Sequence, residues 1–485
     1  MTGPLESYLK DASHFRGEAD QIVSPASEEA VVLFLKEANR RKTSVTVSGA
    51  GTGLTGARVP QQGTVLSTEK LNRILKISWD EPKQEGSAVV QPGVILRDLE
   101  QALEAAGLFY PPDPGEKNAF IGGTVATNAS GPRSLKYGAT RRWVKRLRVV
   151  LANGEVLDLR RGQQKAAGKK FEITFPNGKM VDVPVPGYTM PPVKNAAGYY
   201  ARPHMDLVDL FIGSEGTLGI FTEIELAVIK KPAGFTAGLI FFQSEKDCAR
   251  FGWEALDALE PRLLEFFDRR SLTLLSGKHP KTPAQAQAAL FFEQECAPGS
   301  EETVQQTWTT LSRKFNPLGA EPWFSHRAPD LILLREFRHD LPVLVNEQVA
   351  RNGFRKIGTD LAVPDTHGEA MLDFYLKTLQ EAGIDYAIFG HIGENNLHVN
   401  LLPKTSAEFE RSKTIYDTFA KKAAALGGTV SAEHGIGKVR IPYLEMMVGK
   451  EGLRQMARVK QALDPNGILN PGNIFPAELL GPRGE

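Results

Sequence analysis

The chain has 485 residues, 41% hydrophobic and 24% charged, with 58 Lys and Arg against 57 Asp and Glu for a formal net charge of +1. So even a balance excludes an electrostatic footprint for nucleic acid or an anionic membrane, and no apolar run approaches the roughly 18 residues of a spanning helix. The length exceeds one ordinary core, so two or three domains are expected. Residues 1–20 carry acids early and lack an apolar stretch, so they do not read as a signal peptide. The expected location is cytoplasmic, with a peripheral place at a membrane left open. Cys248 and Cys296 form no CxxC pattern, so redox chemistry has to come from a bound cofactor.

Pro25–Arg40 reads as an amphipathic helix with Ser24 or Ser27 as N-cap. The β-like KTSVTV then runs into Ser48–Pro60, SGAGTGLTGARVP, with glycines at 49, 51, 53 and 56. Glycine lets backbone N–H groups approach a pyrophosphate, and successive N–H groups form an anion nest. Gly51–Gly56 satisfies GxGxxG, but a dinucleotide fingerprint opens a helix, and this loop runs on into Pro60 and β-like residues. It reads as a strand–loop–strand phosphate cradle, the alternative being a glycine-rich loop without a ligand. Strands near Ile74–Ile77 and Ser87–Val90, a helix over 94–107 and a proline-rich extended segment over 108–115 follow. Phe120–Arg142 is dense in small residues, which suits backbone lying against a flat ligand. Residues 145–159 read as a hairpin with Asn153–Gly154 as a two-residue turn. Arg160–Val193 reads as a polar surface insertion with a second hairpin around Asn177–Gly178, before KNAAGYY at 194–200 and a strand-rich segment over 209–229.

From about 233 to 426 the pattern is that of an α+β sheet capped on one side, with residues 284–315 mainly helical. Leu331–Val349 begins as a helix that puts Arg335, Arg338 and His339 on one face, which solvation alone would explain. Tyr386–Leu402, YAIFGHIGENNLHVNLL, reads as a hairpin about GENN. Centring the turn on Glu394–Asn395 pairs His391 with His398 and Ile392 with Leu397, with Asn400 on the same face. Two imidazoles so close suit a divalent metal; the plainer alternative is a pair of hydrogen-bonded core histidines. Glu433 of VSAEHGIGK offers a third ligand and His434 a base. Zinc (or manganese) on two histidines and a carboxylate keeps a position open for substrate.

Seven motifs in one order carry a resemblance: SGAGTGLTGARVP, FIGGTVATNASG with Tyr137–Gly138, KNAAGY, GSEGTLGIFTEIEL, GHIGENNLHVN, SAEHGIGK and LDPNGILNPGNIF. From about residue 20 to 476 the chain resembles flavoproteins of the vanillyl-alcohol-oxidase type, in particular their D-lactate, D-2-hydroxyglutarate and glycolate dehydrogenase branch. The resemblance implies an α+β chain: a FAD-binding domain over 1–232, an α+β substrate domain with a ferredoxin-like sheet over 233–426, and a C-terminal helical region over 427–485. It implies non-covalent FAD, with the pyrophosphate cradled over 48–56 by Ser48, Gly49, Ala50, Gly51, Thr52, Gly53 and Leu54. Gly122, Gly123, Thr127, Asn128 and Ser130 would line the flavin and ribityl chain, with Tyr137 and Gly138 in the same motif. Glu215, Gly219 and Ile220 fall on the adenine side, and Asn470 reaches back to the isoalloxazine.

The resemblance also implies a carboxylate anchor at Arg335, ahead of a strand ending in Asp360–Pro364. Where the hydroxyglutarate branch has a carboxylate-binding lysine, this chain has Gly358; Lys356, on the same strand face, is the substitute. The usual GDGNLH turn is GENNLH here. The implied reaction oxidises a D-2-hydroxy acid (lactate, 2-hydroxyglutarate, malate or glycolate) to the 2-oxo acid, with His434 and Asn400 handling the proton. The electrons then pass from FAD to a quinone, an electron-transfer flavoprotein or a cytochrome. A homodimer is compatible with the sequence. Two other readings stay open: an alkylglycerone-phosphate-synthase-like FAD transferase, whose consecutive-histidine run is missing here, and a non-catalytic flavin electron-transfer subunit.

Overall fold

The computed structural model describes residues 5–175, 178–315, 317–319, 321–325 and 328–481. Near the N-terminus β1 (Gln21–Val23), β2 (Val45–Ser48) and β3 (Thr64–Ser67) form a small parallel sheet of order β1-β3-β2. α1 (Glu28–Arg40) crosses from β1 to β2, and residues 49–63 return to β3 between them. The N-cap of α1 is Ser27, whose hydroxyl accepts from the Ala30 N–H. The glycine-rich loop leaves the C-terminal end of β2.

The second sheet takes β4 (Ile74–Asp80) and β5 (Glu85–Val90), then, after α2 (Leu96–Ala105) and β6 (Leu108–Phe109), β7 (Val144–Val150) and β8 (Val156–Arg160). Between them the segment rich in small residues forms two short helices, α3 (Ile121–Ala126) and α4 (Ser134–Tyr137). Smallness is required there: a Cβ on Gly122 would stand 2.5 Å from the Pro92 side chain. The β7–β8 connection is longer than the expected two-residue turn. Leu151 N–H bonds Glu155 C=O across a three-residue loop whose Gly154 sits at φ +80°.

Residues 160–193 are not a surface appendage. β9 (Lys170–Thr174) and β10 (Met180–Pro184) pair antiparallel, and Phe171, Ile173, Phe175 and Val183 are buried in the main core. The alternation in KFEIT turns one face inward. Asn177, expected at that turn, lies outside the described residues. After α5 (Leu207–Phe211), β11 (Ile220–Lys230) becomes the centre of the sheet, in the order β4-β5-β11-β7-β8.

A seven-stranded sheet, antiparallel throughout, follows in the order β15-β12-β14-β13-β17-β18-β16. Its strands are β12 (Phe235–Phe242), β13 (Leu263–Asp268), β14 (Ala288–Glu295), β15 (Trp323–Phe324), β16 (Ile357–Gly358), β17 (Tyr386–His391) and β18 (Asn396–Leu401). The helices around it are α6 (Glu245–Leu259), α7 (Arg269–Ser276), α8 (Glu301–Ser312), α9 (Ala328–Asn352), α10 (Gly368–Ala382) and α11 (Ser406–Ala425), with α12 (Ile441–Leu463) beyond.

Two expectations change here. The sheet is covered on both faces: Ile240, Leu290 and Phe292 pack toward α6 and α8, while Leu239, Phe241 and Phe291 pack toward α7 and α9. Residues 288–295 are also strand rather than helix. Both differences have one cause: strands buried on two faces read as continuous apolar runs, and such runs carry no period that separates strand from buried helix.

The β17–β18 hairpin differs in register. His391 pairs with Asn396 and Phe389 with His398, because the turn spans Ile392–Asn395 and closes with Asn395 at φ 47°. The shift is two residues, an even number, so both imidazoles keep the same face. At the C-terminal end the chain returns to the first sheet. The Val45 N–H donates to Ile468 C=O and the Asn470 N–H to Val45 C=O, each at 2.8 Å.

The side chain most deeply committed to the large sheet is Trp308 of α8, fully buried and stacked on Phe292 at 3.7 Å. Trp308→Ala is expected to destabilise this part of the protein by about 3–5 kcal/mol, read as a lowered urea midpoint.

Candidate active site

A cavity of about 710 Å³ runs from the glycine-rich loop to the paired imidazoles. Gly49, Ala50, Gly51, Thr52, Gly53 and Leu54 line one end. Gly122, Gly123, Thr127, Ser130, Glu215, Gly219, Ile220 and Asn470 line the cavity as well. Four expected cofactor residues stand behind these walls instead. Ser48 is buried with its hydroxyl on Gly49 C=O. Asn128 holds the Arg141 N–H and Asn195 C=O, Tyr137 of α4 donates to Glu295 at the end of β14, and Gly138 ends α4 at φ 75°.

The cradle fits a dinucleotide pyrophosphate. None of the backbone N–H groups from Gly49 to Thr55 donates to another described residue, and Gly51 sits at φ +87°. Unpaired donors converging at a glycine turn form an anion nest. Asn470 braces the strand leading into the cradle, accepting from the Val47 N–H at 2.8 Å and donating to Glu215 C=O at 2.9 Å.

At the other end His391, His398 and Glu433 present ligand atoms within 4.8 Å of one another. His391 Nε2 lies 3.2 Å and His398 Nε2 3.6 Å from the Glu433 carboxylate. Each outer ring nitrogen is already engaged, His391 Nδ1 by Glu265 at 2.6 Å and His398 Nδ1 by Thr359 C=O at 3.1 Å. Such outer bonds fix the tautomer and turn Nε2 inward, as metal-binding imidazoles require, so this donor set fits a divalent cation. Burial alone would lower the His391 imidazole, but Glu265 and Glu433 outweigh it and push it up to about 9. Glu433 is held well below its ordinary value against burial by Lys194 and His391.

His434 lines the cavity beside this group, its ring stacked 5.9 Å from that of His398. Its Nδ1 faces Asp360 Oδ2 at 3.1 Å, so a proton on Nδ1 leaves Nε2 free to accept. Asp360 also accepts from Ser431 Oγ, Arg440 Nη1 and the N–H groups of Glu433 and His434. Although burial pushes it up, these partners hold its carboxyl far below the usual range.

Three residues of this assembly escaped sequence reasoning: Lys194, Glu265 and Asp360. Lys194 Nζ lies 2.8 Å from Glu433 and 2.7 Å from Glu394. The KNAAGY motif signalled Lys194 and DLAVP signalled Asp360, but neither said what the side chain would touch; Glu265, within an apolar run, gave no signal.

The anchors expected at Arg335 and Lys356 are not among the cavity-lining residues; Arg338, one turn further along α9, is. Asn400 is buried two residues from His398, its amide on His398 C=O, and does not line the cavity either.

Residues 231–474 match the family described as FAD linked oxidases, C-terminal domain, and residues 19–160 the FAD binding domain family. The chain is 34% identical to a D-lactate dehydrogenase of Anaerostipes hadrus, over 97% of this chain and 92% of that one. It is 30% identical to a D-2-hydroxyglutarate dehydrogenase of Stutzerimonas stutzeri (strain A1501), over 98% and 95%. Among solved structures it is similar in fold to a 4-ethylphenol oxidase from Gulosibacter chungangensis, with a TM-score of 0.66 at 19% identity, covering 98% of this chain and 92% of that one.

Asp360 generates a pH prediction. Its folded pKa lies below the unfolded value, so in the window between them the native state binds fewer protons. Its contribution to stability is present above about pH 3.9 and is lost as pH falls below that. Glu265, held down to about 2 against burial by Arg338 and His391, adds to the same acid window. Asp360→Ala, which strands the buried Arg440, is expected to cost about 3–5 kcal/mol and to flatten the acid limb of a stability–pH curve.

Proposed function

The chain belongs to the FAD-linked oxidase family, and from that premise we propose that it oxidises a D-2-hydroxy acid to the 2-oxo acid with help from a divalent metal. The observation that carries the reading is the convergence of His391, His398 and Glu433 beside His434, on a cavity that continues to the glycine cradle. The D configuration rests on the names of the relatives. FAD supplies a two-electron acceptor, and zinc or manganese on the two imidazoles and Glu433 supplies a Lewis acid for the substrate hydroxyl.

The remaining work falls to this chain's own groups. His434 Nε2 takes the hydroxyl proton, and Asp360 holds the Nδ1 proton in place and stabilises the imidazolium that results. Glu265 and Thr359 fix the rings of His391 and His398. Lys194 balances the charge of Glu433 and Glu394. Gly49–Thr55 would donate to a pyrophosphate, and Thr127 and Ser130 would lie against the flavin. The electrons would leave to an acceptor outside the chain: a quinone, an electron-transfer flavoprotein or a cytochrome. No helix among the described residues is long and apolar enough to cross a membrane, and we place the protein in the cytoplasm, free or at a membrane surface.

The test is an anaerobic titration of the flavin absorption with D- and L-2-hydroxy acids, with and without a chelator. A D acid should bleach the band and chelation should prevent it; a band that no acid bleaches sinks the reading. His434→Ala should lower kcat by on the order of 10²–10⁴ with flavin content unchanged, and near-normal turnover would remove His434 from the base role. His391→Ala should purify with FAD but without stoichiometric metal in elemental analysis.

A further inference from the structure

The stretch from Ser431 to Arg440 reaches from the imidazole pair to the glycine cradle, and its N–H groups are met in pairs. Those of Glu433 and His434 donate to Asp360, at 3.2 and 2.9 Å. Those of Ile436 and Gly437 donate to the Glu215 carboxylate, one to each oxygen, at 2.7 Å. Those of Lys438 and Val439 both donate to Thr55 C=O, at 3.0 and 3.2 Å. Thr55 is the last residue of the cradle and Glu433 one of the three ligand-bearing residues. The two sites are therefore the ends of one backbone segment held at three points.

At the cradle end Lys438 adds a side-chain tie. Its Nζ lies 2.6 Å from Asn473 Oδ1 and 3.4 and 3.5 Å from the carbonyls of Gly56 and Ala57. Asn473 in turn donates to Ala57 C=O at 2.8 Å. The contact is close: Gly437 has φ +53°, and a Cβ there would stand 2.1 Å from the Thr55 carbonyl oxygen. With no gap to absorb it, a shift of the stretch is passed on to Thr55.

At the other end Glu433 Oε1 is anchored by Lys194 at 2.8 Å and Ser130 at 3.2 Å. Its Oε2 lies 3.6 Å from His398 Nε2, too far for a hydrogen bond. A cation shared with the two rings would fix that oxygen, and with it the end of the stretch.

Resting on the metal-assisted reading, we infer that this stretch couples the two sites: a divalent cation on His391, His398 and Glu433 raises the affinity for FAD, and FAD raises the affinity for the cation by the same factor. Each ligand fixes one end of a shared segment, so the second to bind has less left to order. Equality of the two factors is a thermodynamic necessity. Lys438 is a positioning residue in this scheme and touches neither ligand.

The experiment uses the full-length, FAD-loaded protein and needs no substrate. Free FAD is measured by ultrafiltration across a dilution series, once with zinc and once with a chelator. Removing zinc should weaken FAD retention by about 10-fold. Zinc affinity, read by competition with a metallochromic dye, should be higher by the same factor with FAD in excess than with FAD depleted.

Gly437→Ala drives a methyl group into Thr55. It should weaken FAD retention and make it insensitive to zinc, with zinc affinity at low FAD unchanged. Lys438→Met keeps every backbone bond and should show a smaller zinc effect than the parent protein; it decides the matter if Gly437→Ala does not fold. A purely structural role would lower FAD retention equally with and without zinc, so the ratio is the diagnostic quantity. FAD retention that ignores zinc or weakens with it, a failure of zinc to bind, or a ratio unchanged in the variants overturns the inference. If the ratio behaves as stated but no hydroxy acid bleaches the flavin, the oxidation falls and the coupling stands.

Discussion

A single buried carboxylate holds the histidine-lined end of the cavity together. Asp360 is wholly inaccessible to solvent and follows β16, at the edge of the large sheet. An ionised group in that position survives only if nearly every lone pair is met. The groups that meet it come from one short stretch: Ser431, the N–H groups of Glu433 and His434, the His434 ring and Arg440. Satisfying Asp360 therefore folds the stretch into one shape. That shape puts Glu433 between the imidazoles and Lys194, and His434 at the cavity wall. Glu215 grips the same stretch from the flavin side, accepting from the N–H groups of Ile436 and Gly437 at 2.7 Å each. Burial pushes Glu215 up to about 7, against those two bonds. The stretch is thus clamped between two carboxylates, one just after β16 and the other in the turn between α5 and β11.

What could be read from the sequence was what local chemistry declares. The glycines after β2 suggested a cradle because successive unencumbered N–H groups can form an anion nest. Two histidines on one strand-turn-strand segment announced a shared face because a strand's period is two, and that survived a mistaken turn. The turn was mistaken because Asn395 takes the left-handed conformation and lengthens the loop, which its neighbours do not signal.

Other features depend on contacts between residues hundreds of positions apart. Lys194 meets Glu394 and Glu433 across sequence gaps that no spacing rule spans. The rotation of α9 that favours Arg338 over Arg335 is set by Leu334, Phe337, Leu341 and Val345 packing on the sheet. With arginines at both 335 and 338, the sequence leaves that choice open. Ser48, Asn128 and Tyr137 show a related limit: a motif marks a region, and its residues divide between touching the cavity and bracing the backbone that does.

The return of the chain to β2 bears on how the protein is made. In the order β1-β3-β2, β2 is an edge strand, and its free side is closed by residues 468–470. An unpaired edge is a template for wrong partners. During synthesis the ribosome adds roughly 5–20 residues per second, so this edge waits on the order of half a minute or more for its cover. Asn470 arrives with that cover, so this wall of the cavity is completed only once the chain has run from β2 to residue 470. Closure of the cavity therefore waits on a long-range contact, and chaperone assistance would be needed most while the edge is bare.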